Sequence, residues 1–272
     1  MFPSEFITLT TDFGSDSPYV AAMKGVILTI CPTARIFDLC HGIKPQNVYE
    51  GALTLENVAR FFPPGTVHIA VVDPGVGTSR DIILAQIGDY YYIAPNNGLL
   101  TRVIRQAESD KVSMKFYSLE NRGYWLEAIS NTFHGRDVMA PAAAHLLCGM
   151  APKYMGKPTT SIVELEIPEP VIESSSITGI VEDVDSFGNL ITNINAKSLV
   201  GRALDDSVQI SLSGKTVTQG VCQTYGDKPA GATIAIIDSS DRVEIAVVNG
   251  NAAQTFNAAI GDEVVLTWAN RQ

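Results

Sequence analysis

Hydrophobic positions in the first half of the chain alternate between two spacings. Phe-Ile-Thr-Leu-Thr (6–10) is a short apolar run, read as a strand that ends at Thr11-Asp12-Phe13-Gly14. Val20, Met23, Val26, Ile27 and Ile30 then recur at helical intervals, predicting a helix from Pro18 to Ile30 with Pro32 as its stop. Residues 34–39 read as the next strand, and Val48, Ala52, Leu55, Val58 and Ala59 mark a helix opening at Pro45. The run 66–73, Thr-Val-His-Ile-Ala-Val-Val-Asp, is almost unbroken in apolarity, as for a strand covered on both faces. Strands 81–87 and 90–94, a helix 97–106 and a helix 139–150 complete this half. The alternation implies an α/β domain, a mainly parallel sheet with helices on both faces.

The pattern changes near 151–177, where Pro, Glu and Ser collect without a long period, and this stretch reads as a linker. Beyond it lie only strand-like runs, at 177–185, 189–195, 207–214, 233–238, 242–248 and 262–269, with Gly188, Gly214, Gly231, Gly250 and Gly261 among them. That spacing predicts a small all-β barrel or sandwich. The expected domains are 1–165 and 176–272.

Composition narrows the class. Of 272 residues, 46% are hydrophobic, enough for a substantial core in each domain. The net charge of −10 and the lack of a basic stripe argue against a nucleic-acid partner. No apolar run is long enough to span a bilayer, and the N-terminus lacks the basic and apolar regions of a secretory signal. Cys31, Cys40, Cys148 and Cys222 show no paired spacing, which fits reduced thiols and a cytoplasmic protein.

Candidate chemistry concentrates in a few segments. In an open α/β sheet, ligands gather beyond the carboxyl ends of strands, where the pattern puts Asp12 and Asp73. Asp12 serves either to cap a turn or to accept from a ribose diol. Asp73 and Arg80 flank Pro74-Gly75-Val76-Gly77, so their ion pair either braces a loop or holds a small polar reactant, with the glycines admitting close approach of a ligand. His134, between Phe133 and Gly135 at a helix mouth, is a structural residue or a general base. His68 and His145 fall inside a strand and a helix, and His41 is ambiguous. Asp185, Phe187 and Asn189 form a hairpin turn or a platform for a purine. The run 245–253 has the look of a strand turning into a backbone nest. The dinucleotide, phosphate-loop, HExxH and GxSxG signatures are missing. An arginine beside Asp12, Asp73 and His134 argues against a metal there.

Several of these segments occur together, and in a fixed order, in one known family. TLTTDFG, CHGIKPQNVYEGA, FFPPGTVHIAVVDPGVGTSR, YIAPNNGLLT, TFHGRDVMAPAAAHL, DSFGNLITNI and SSDRVEIAVVNGNAA resemble the S-adenosyl-L-methionine hydroxide adenosyltransferases, relatives of the fluorinase and chlorinase enzymes. The resemblance runs from about residue 5 to 268. It implies an α/β domain followed by a β-barrel, a homotrimer with the site at the subunit interface, and no cofactor. The implied reaction is attack of water or hydroxide on C5′ of S-adenosylmethionine (SAM), giving adenosine and L-methionine. It further implies that Asp73, Arg80 and His134 polarise the water and that Asp12 holds the ribose. Phe133, Asp185, Phe187, Asn189, Ser240, Glu244 and backbone groups near Val247 and Val248 are expected on the substrate. Whether Asp73 or His134 takes the proton is left open, with Asp73–Arg80 favoured as the pair that holds the water. The halogenating relatives carry a tyrosine at position 73, a Tyr-Ser pair at 134–135, a tryptophan at 46 and an insertion after Arg80. A charged Asp73 disfavours a halide anion there. A halogenase and a non-catalytic nucleoside-binding protein are the alternatives.

Overall fold

In the computed structural model, which describes residues 4–268, the chain divides into two compact units, Met1–Leu165 and Glu166–Gln272. The first is built on strands β1 (Phe6–Thr11), β2 (Arg35–Cys40), β3 (Val67–Val71), β4 (Ile82–Ile87), β5 (Tyr90–Pro95), β6 (Met114–Leu119) and β7 (Gly156–Pro158). They lie in the order β2-β1-β3-β5-β4-β6-β7. β3 is buried along its whole length, as its unbroken apolarity requires, whereas β2 at the edge is largely exposed.

The sheet is mixed, which corrects the expectation of a mainly parallel one. β2, β1, β3 and β5 run parallel; β4 is antiparallel to both β5 and β6, and β7 to β6. The cause is local. Gly88 and Asp89 alone connect β4 to β5, and Gly88 has φ +55°. Two residues close a hairpin and cannot carry a parallel crossover.

Helices α1 (Pro18–Ile30), α2 (Val48–Ala59), α3 (Thr101–Ser109), α4 (Ala140–Leu147) and α5 (Pro152–Met155) complete the unit. Helices cover both faces of the sheet. Val20, Met23 and Ile27 of α1 and Ala142, Ala143 and Leu146 of α4 pack with Ile7, Leu9, Ile69 and Val71 on one side. Leu55 of α2 and Val103, Ile104 and Ala107 of α3 pack with Ala70, Ile83 and Ala94 on the other. Ser17 caps α1 by accepting from Tyr19 N–H, and Asn47 caps α2 by accepting from Glu50 N–H. The Asn47 cap explains why α2 starts at Val48 rather than Pro45. The expected linker is also shorter: Pro152–Met155 and Gly156–Pro158 belong to the first unit, β7 pairing with β6.

The second unit carries β8 (Val171–Ile172), β9 (Ser176–Val184), β10 (Leu190–Asn195), β11 (Val208–Leu212), β12 (Lys215–Gln219), β13 (Thr233–Ile237), β14 (Arg242–Val247) and β15 (Glu263–Trp268), with a short helix α6 (Ala252–Phe256). The order is β12-β11-β15-β9-β10-β14-β13, antiparallel throughout, with β8 against β9. Alternate residues of β10 (Leu190, Thr192, Ile194) point inward. Thr218 Oγ1 of β12 donates to the Thr233 carbonyl of β13 at 3.0 Å, so the two outer strands approach and the sheet nearly closes into a barrel. β12 is a strand that the hydrophobic pattern did not reveal, as is β6. Ala269, read into the last strand, lies outside the described residues.

Candidate active site

β1 and β3 are parallel neighbours with Thr11 opposite Val71. Asp12 and Asp73, just beyond those ends, therefore emerge side by side at the carboxyl edge of the sheet. The chain then turns back through 74–80, with Val76 N–H donating to the Asp73 carbonyl and Thr78 to the Gly75 carbonyl. The turn returns Arg80 onto Asp73. Arg80 Nε donates to Asp73 Oδ1 at 2.7 Å and Nη2 donates to Oδ2, a bidentate pair whose side chains are only 10% and 4% exposed. The same Nη2 lies 3.1 Å from His134 Nδ1.

His134 reaches this place because two loops dock without side chains between them. Gly77 has φ +77°, and a Cβ there would sit 2.2 Å from the Asn131 carbonyl oxygen. Only glycine allows that backbone contact. Gly135 lies against Met23 and Val71, where a Cβ would meet Met23 Sδ at 3.3 Å and Val71 Cγ1 at 3.5 Å. From Gly135 to Met139 the helix is wound as one π-turn before α4 continues; such turns are frequent at functional sites. Buried Asp137 fixes the approach by accepting from Ser130 N–H (2.8 Å) and Arg136 Nε (2.6 Å).

The protonation state follows from donor inventory. A guanidinium has no lone pair to share, so His134 Nδ1 accepts and the neutral ring carries its proton on Nε2. Burial and the Arg80 charge lower the His134 pKa, against the opposing pull of Asp73 and Asp137. A cavity of about 320 Å³ lies over this arrangement, lined by Asp12, Gln46, Asp73, Phe133 and His134 among others. Asp12 Oδ2 accepts from Gln46 N–H at 2.7 Å, which the left-handed Gln46 (φ +66°) turns toward it. The unit thus assembles two carboxylates and a neutral imidazole around one space, with the Arg80 guanidinium joining Asp73 to His134 from behind.

Sequence reasoning missed the support beneath Asp12. Thr11 Oγ1 is 2.9 Å from His41 Nδ1, His41 Nε2 is 2.9 Å from Asp38, and Asp38 pairs with Lys24 at 2.6 Å. The ambiguous His41 is therefore a brace for the strand end. Its spacing after β2 gave a weak signal, since the chain lies beside β1 only in the folded sheet.

In the second unit, Asp185 Oδ1 accepts from Phe187 N–H (2.9 Å) and Asn189 N–H (2.8 Å), and Oδ2 accepts from Asn189 Nδ2 (3.1 Å). The turn leaves Phe187 74% exposed at its tip. Gly188 (φ +84°) lies tight against Asn251, where a Cβ would come within 2.1 Å of the amide, and Ala253 N–H donates to the Gly188 carbonyl. The 185–189 turn and the 247–253 segment therefore meet. Glu244 is buried and accepts from Tyr225 at 2.8 Å; burial raises its pKa, Tyr225 opposes this, and Asp185 and Asp238 add to the rise. Tyr225 is a second residue that the sequence did not single out. Ser240 sits in the turn 238–241, at the end of β14 opposite Val247 and Val248. Val248 N–H donates to the Ala232 carbonyl and its carbonyl accepts from Gly231, so both its backbone groups serve the barrel.

Two family models match in sequence: the SAM hydroxide adenosyltransferase N-terminal domain over residues 7–156 and its C-terminal domain over 179–265. The chain belongs to the SAM hydroxide adenosyltransferase family. Among its relatives is the (R)-S-adenosyl-L-methionine hydrolase of Salinispora tropica, 34% identical over 270 residues, covering 98% of this chain and 99% of the relative. A fluorinase of Nocardia brasiliensis is 29% identical over 289 residues, covering 95% of each. An uncharacterised conserved protein from Thermotoga maritima has a crystal structure that superposes with a TM-score of 0.89 at 38% identity, over 96% of this chain and 99% of that one. Within this family, the adenosyltransferase N-terminal model spans Asp12, Asp73, Arg80 and His134, and the C-terminal model spans the Asp185–Asn189 turn and Glu244. Among the described residues, no helix is long and apolar enough to cross a membrane.

Proposed function

We propose that this chain hydrolyses S-adenosyl-L-methionine, with water attacking C5′ of the ribose to give adenosine and L-methionine. The observation that carries the assignment is the Asp73–Arg80–His134 string beside Asp12, in a chain whose relatives at 33–34% identity over nearly their full length are named (R)-S-adenosyl-L-methionine hydrolases. The C5′–O bond forms, the C5′–S bond breaks with its electron pair going to sulfur, and one proton is released. The sulfonium is its own activating group, so no cofactor is invoked.

The difficulty is the nucleophile, since free water has a pKa near 15.7. Arg80 and His134 divide the work with Asp73. With Nδ1 engaged by Arg80, the ring offers Nε2–H as a donor, which suits orienting a water oxygen. Each Asp73 oxygen accepts one bond from Arg80 and keeps a further lone pair. Asp73 is therefore the group placed to take the proton, and His134 the one that orients. Asp12 is assigned to the ribose hydroxyls. Holding oxygen, C5′ and sulfur in line removes much of the entropic barrier.

The second unit is assigned to the adenine and methionine side, through Phe187, Asn189, Asp185, Ser240, Glu244 and the backbone near Val247 and Val248. Phe133 joins them from the first unit's cavity. The exposure of Phe187 fits a ring that a purine covers. We assign a homotrimer with the site shared between subunits. Four unpaired thiols accord with the cytoplasm.

Incubation of purified protein with SAM, as both sulfonium epimers because the curated relatives are named for the R form, followed by chromatography, tests the assignment. Adenosine and methionine are expected. A 5′-halo-adenosine in the presence of halide supports the halogenase reading instead, and bound but unconverted nucleoside supports a binding protein. Asp73 disfavours the halide, because its charge repels an anion at the same spot.

A further inference from the structure

We propose that a second, polar cleft, reached from the opposite side of the Arg80–His134 contact, supplies the attacking water and drains the released proton while the nucleoside fills the first cavity. This inference rests on the hydrolytic reading above. The cleft has a volume of about 610 Å³, and its wall includes Thr78, Ser79, Arg80, Glu120, Glu127 and His134. His134 lines both spaces; Asp73 lines only the nucleoside cavity and Arg80 only the cleft. The Asp73–Arg80–His134 string is therefore the partition between them.

Two physical demands point to such a route. In-line displacement brings water to C5′ from the side away from sulfur, and a bound nucleoside itself closes the first cavity toward that side. Each turnover also consumes one water and releases one proton, so the partition must be refilled and discharged every cycle. The cleft is suited to hold water. Hydroxyls of Thr78 and Ser79 and the Glu120 and Glu127 carboxylates lie along the same wall, so a chain of waters has acceptors along the way out.

The test plugs the cleft without touching the string. Ser79 and Glu127 are both exposed and belong to neither the catalytic nor the nucleoside-binding set. Wild-type enzyme, Ser79→Trp, Glu127→Trp and the matching Ser79→Ala and Glu127→Ala variants are assayed for adenosine release from SAM. Adenosine affinity is measured by calorimetry, and the His134 imidazole is followed by NMR, assigned by its loss in His134→Ala. The tryptophan variants are expected to lose at least tenfold in kcat, with adenosine affinity within twofold and the His134 signal unmoved, while the alanine variants stay within twofold of wild type. Tryptophan variants that keep their kcat overturn the route. So does a loss accompanied by a shifted His134 signal or by weakened adenosine binding, because the plug then acts on the string itself. Wild-type protein that forms no adenosine at all fails the parent reading instead, a result distinct from either.

Discussion

In the first unit Asp73 accepts both of its strong hydrogen bonds from the side chain of Arg80, whereas in the second Asp185 accepts from the backbone amides of Phe187 and Asn189. Both carboxylates follow the end of a strand, and both stand at turns that a left-handed glycine permits. What differs is the partner. A guanidinium that also reaches His134 ties Asp73 to a titratable imidazole. Backbone amides tie Asp185 to the shape of its own turn, whose product is an exposed aromatic ring. Carboxylates at similar local positions are therefore held in two ways, one by a side-chain cation that reaches an imidazole and the other by the amides of its own turn.

The sharpest way to break that contrast is Asp73→Asn. Turnover of SAM should fall by about 10²- to 10³-fold, with adenosine affinity within a few-fold by calorimetry. Retained turnover would sink the role given to Asp73. Next in size is Gly77→Ala, which meets both a left-handed backbone and the Asn131 carbonyl at 2.2 Å. A loss of about 2–4 kcal/mol in the first unit is expected, from backbone strain and the shift of the docked loops together. Chemical denaturation reads it, and a wild-type midpoint would show that the two loops need not dock.

Acid should affect the first unit by about 2 kcal/mol at pH 5. Burial lowers the pKa of His68 from 6.5 to about 3. The unfolded chain then binds more protons, so stability is complete above pH 6.5 and declines as pH falls below it. Thermal midpoints between pH 7.5 and 5 measure this, and a His68→Leu variant should flatten the slope. His134 is shifted in the same direction, so the acid limb of kcat/KM, which reports the free enzyme, should also lie below 6.5; a limb at or above that value contradicts a neutral imidazole held by Arg80. The smallest effect belongs to the barrel. Tyr225→Phe removes the donor to buried Glu244 and should cost about 1 kcal/mol in the second unit's unfolding. An unchanged barrel stability would mean that Glu244 finds another donor there.

Much of the fold was legible in the sequence because its causes are local. The helical spacing of Val20, Met23 and Ile27, the unbroken run of β3 and the alternation in β10 each set an element with little help from the rest of the chain. The hairpin of β4 and β5 was equally local: Gly88-Asp89 lies between two apolar runs, and counting the length of that connection would have yielded the antiparallel pair. The His41–Asp38–Lys24 brace and the Tyr225–Glu244 bond were not legible, because each joins residues from separate elements that carry no spacing signal.

For the site, the chain alone named Asp12, Asp73, Arg80 and His134 as candidates, since strand ends, glycine-rich turns and residue chemistry are written in order along it. Only the tertiary structure decided that 73–80 and 131–135 share one place, through a glycine whose missing side chain lets two loops touch. The tautomer of His134 was decided in the same way. It depends on which atom a guanidinium 54 residues distant points at, and direction in space is a property of packing rather than of sequence.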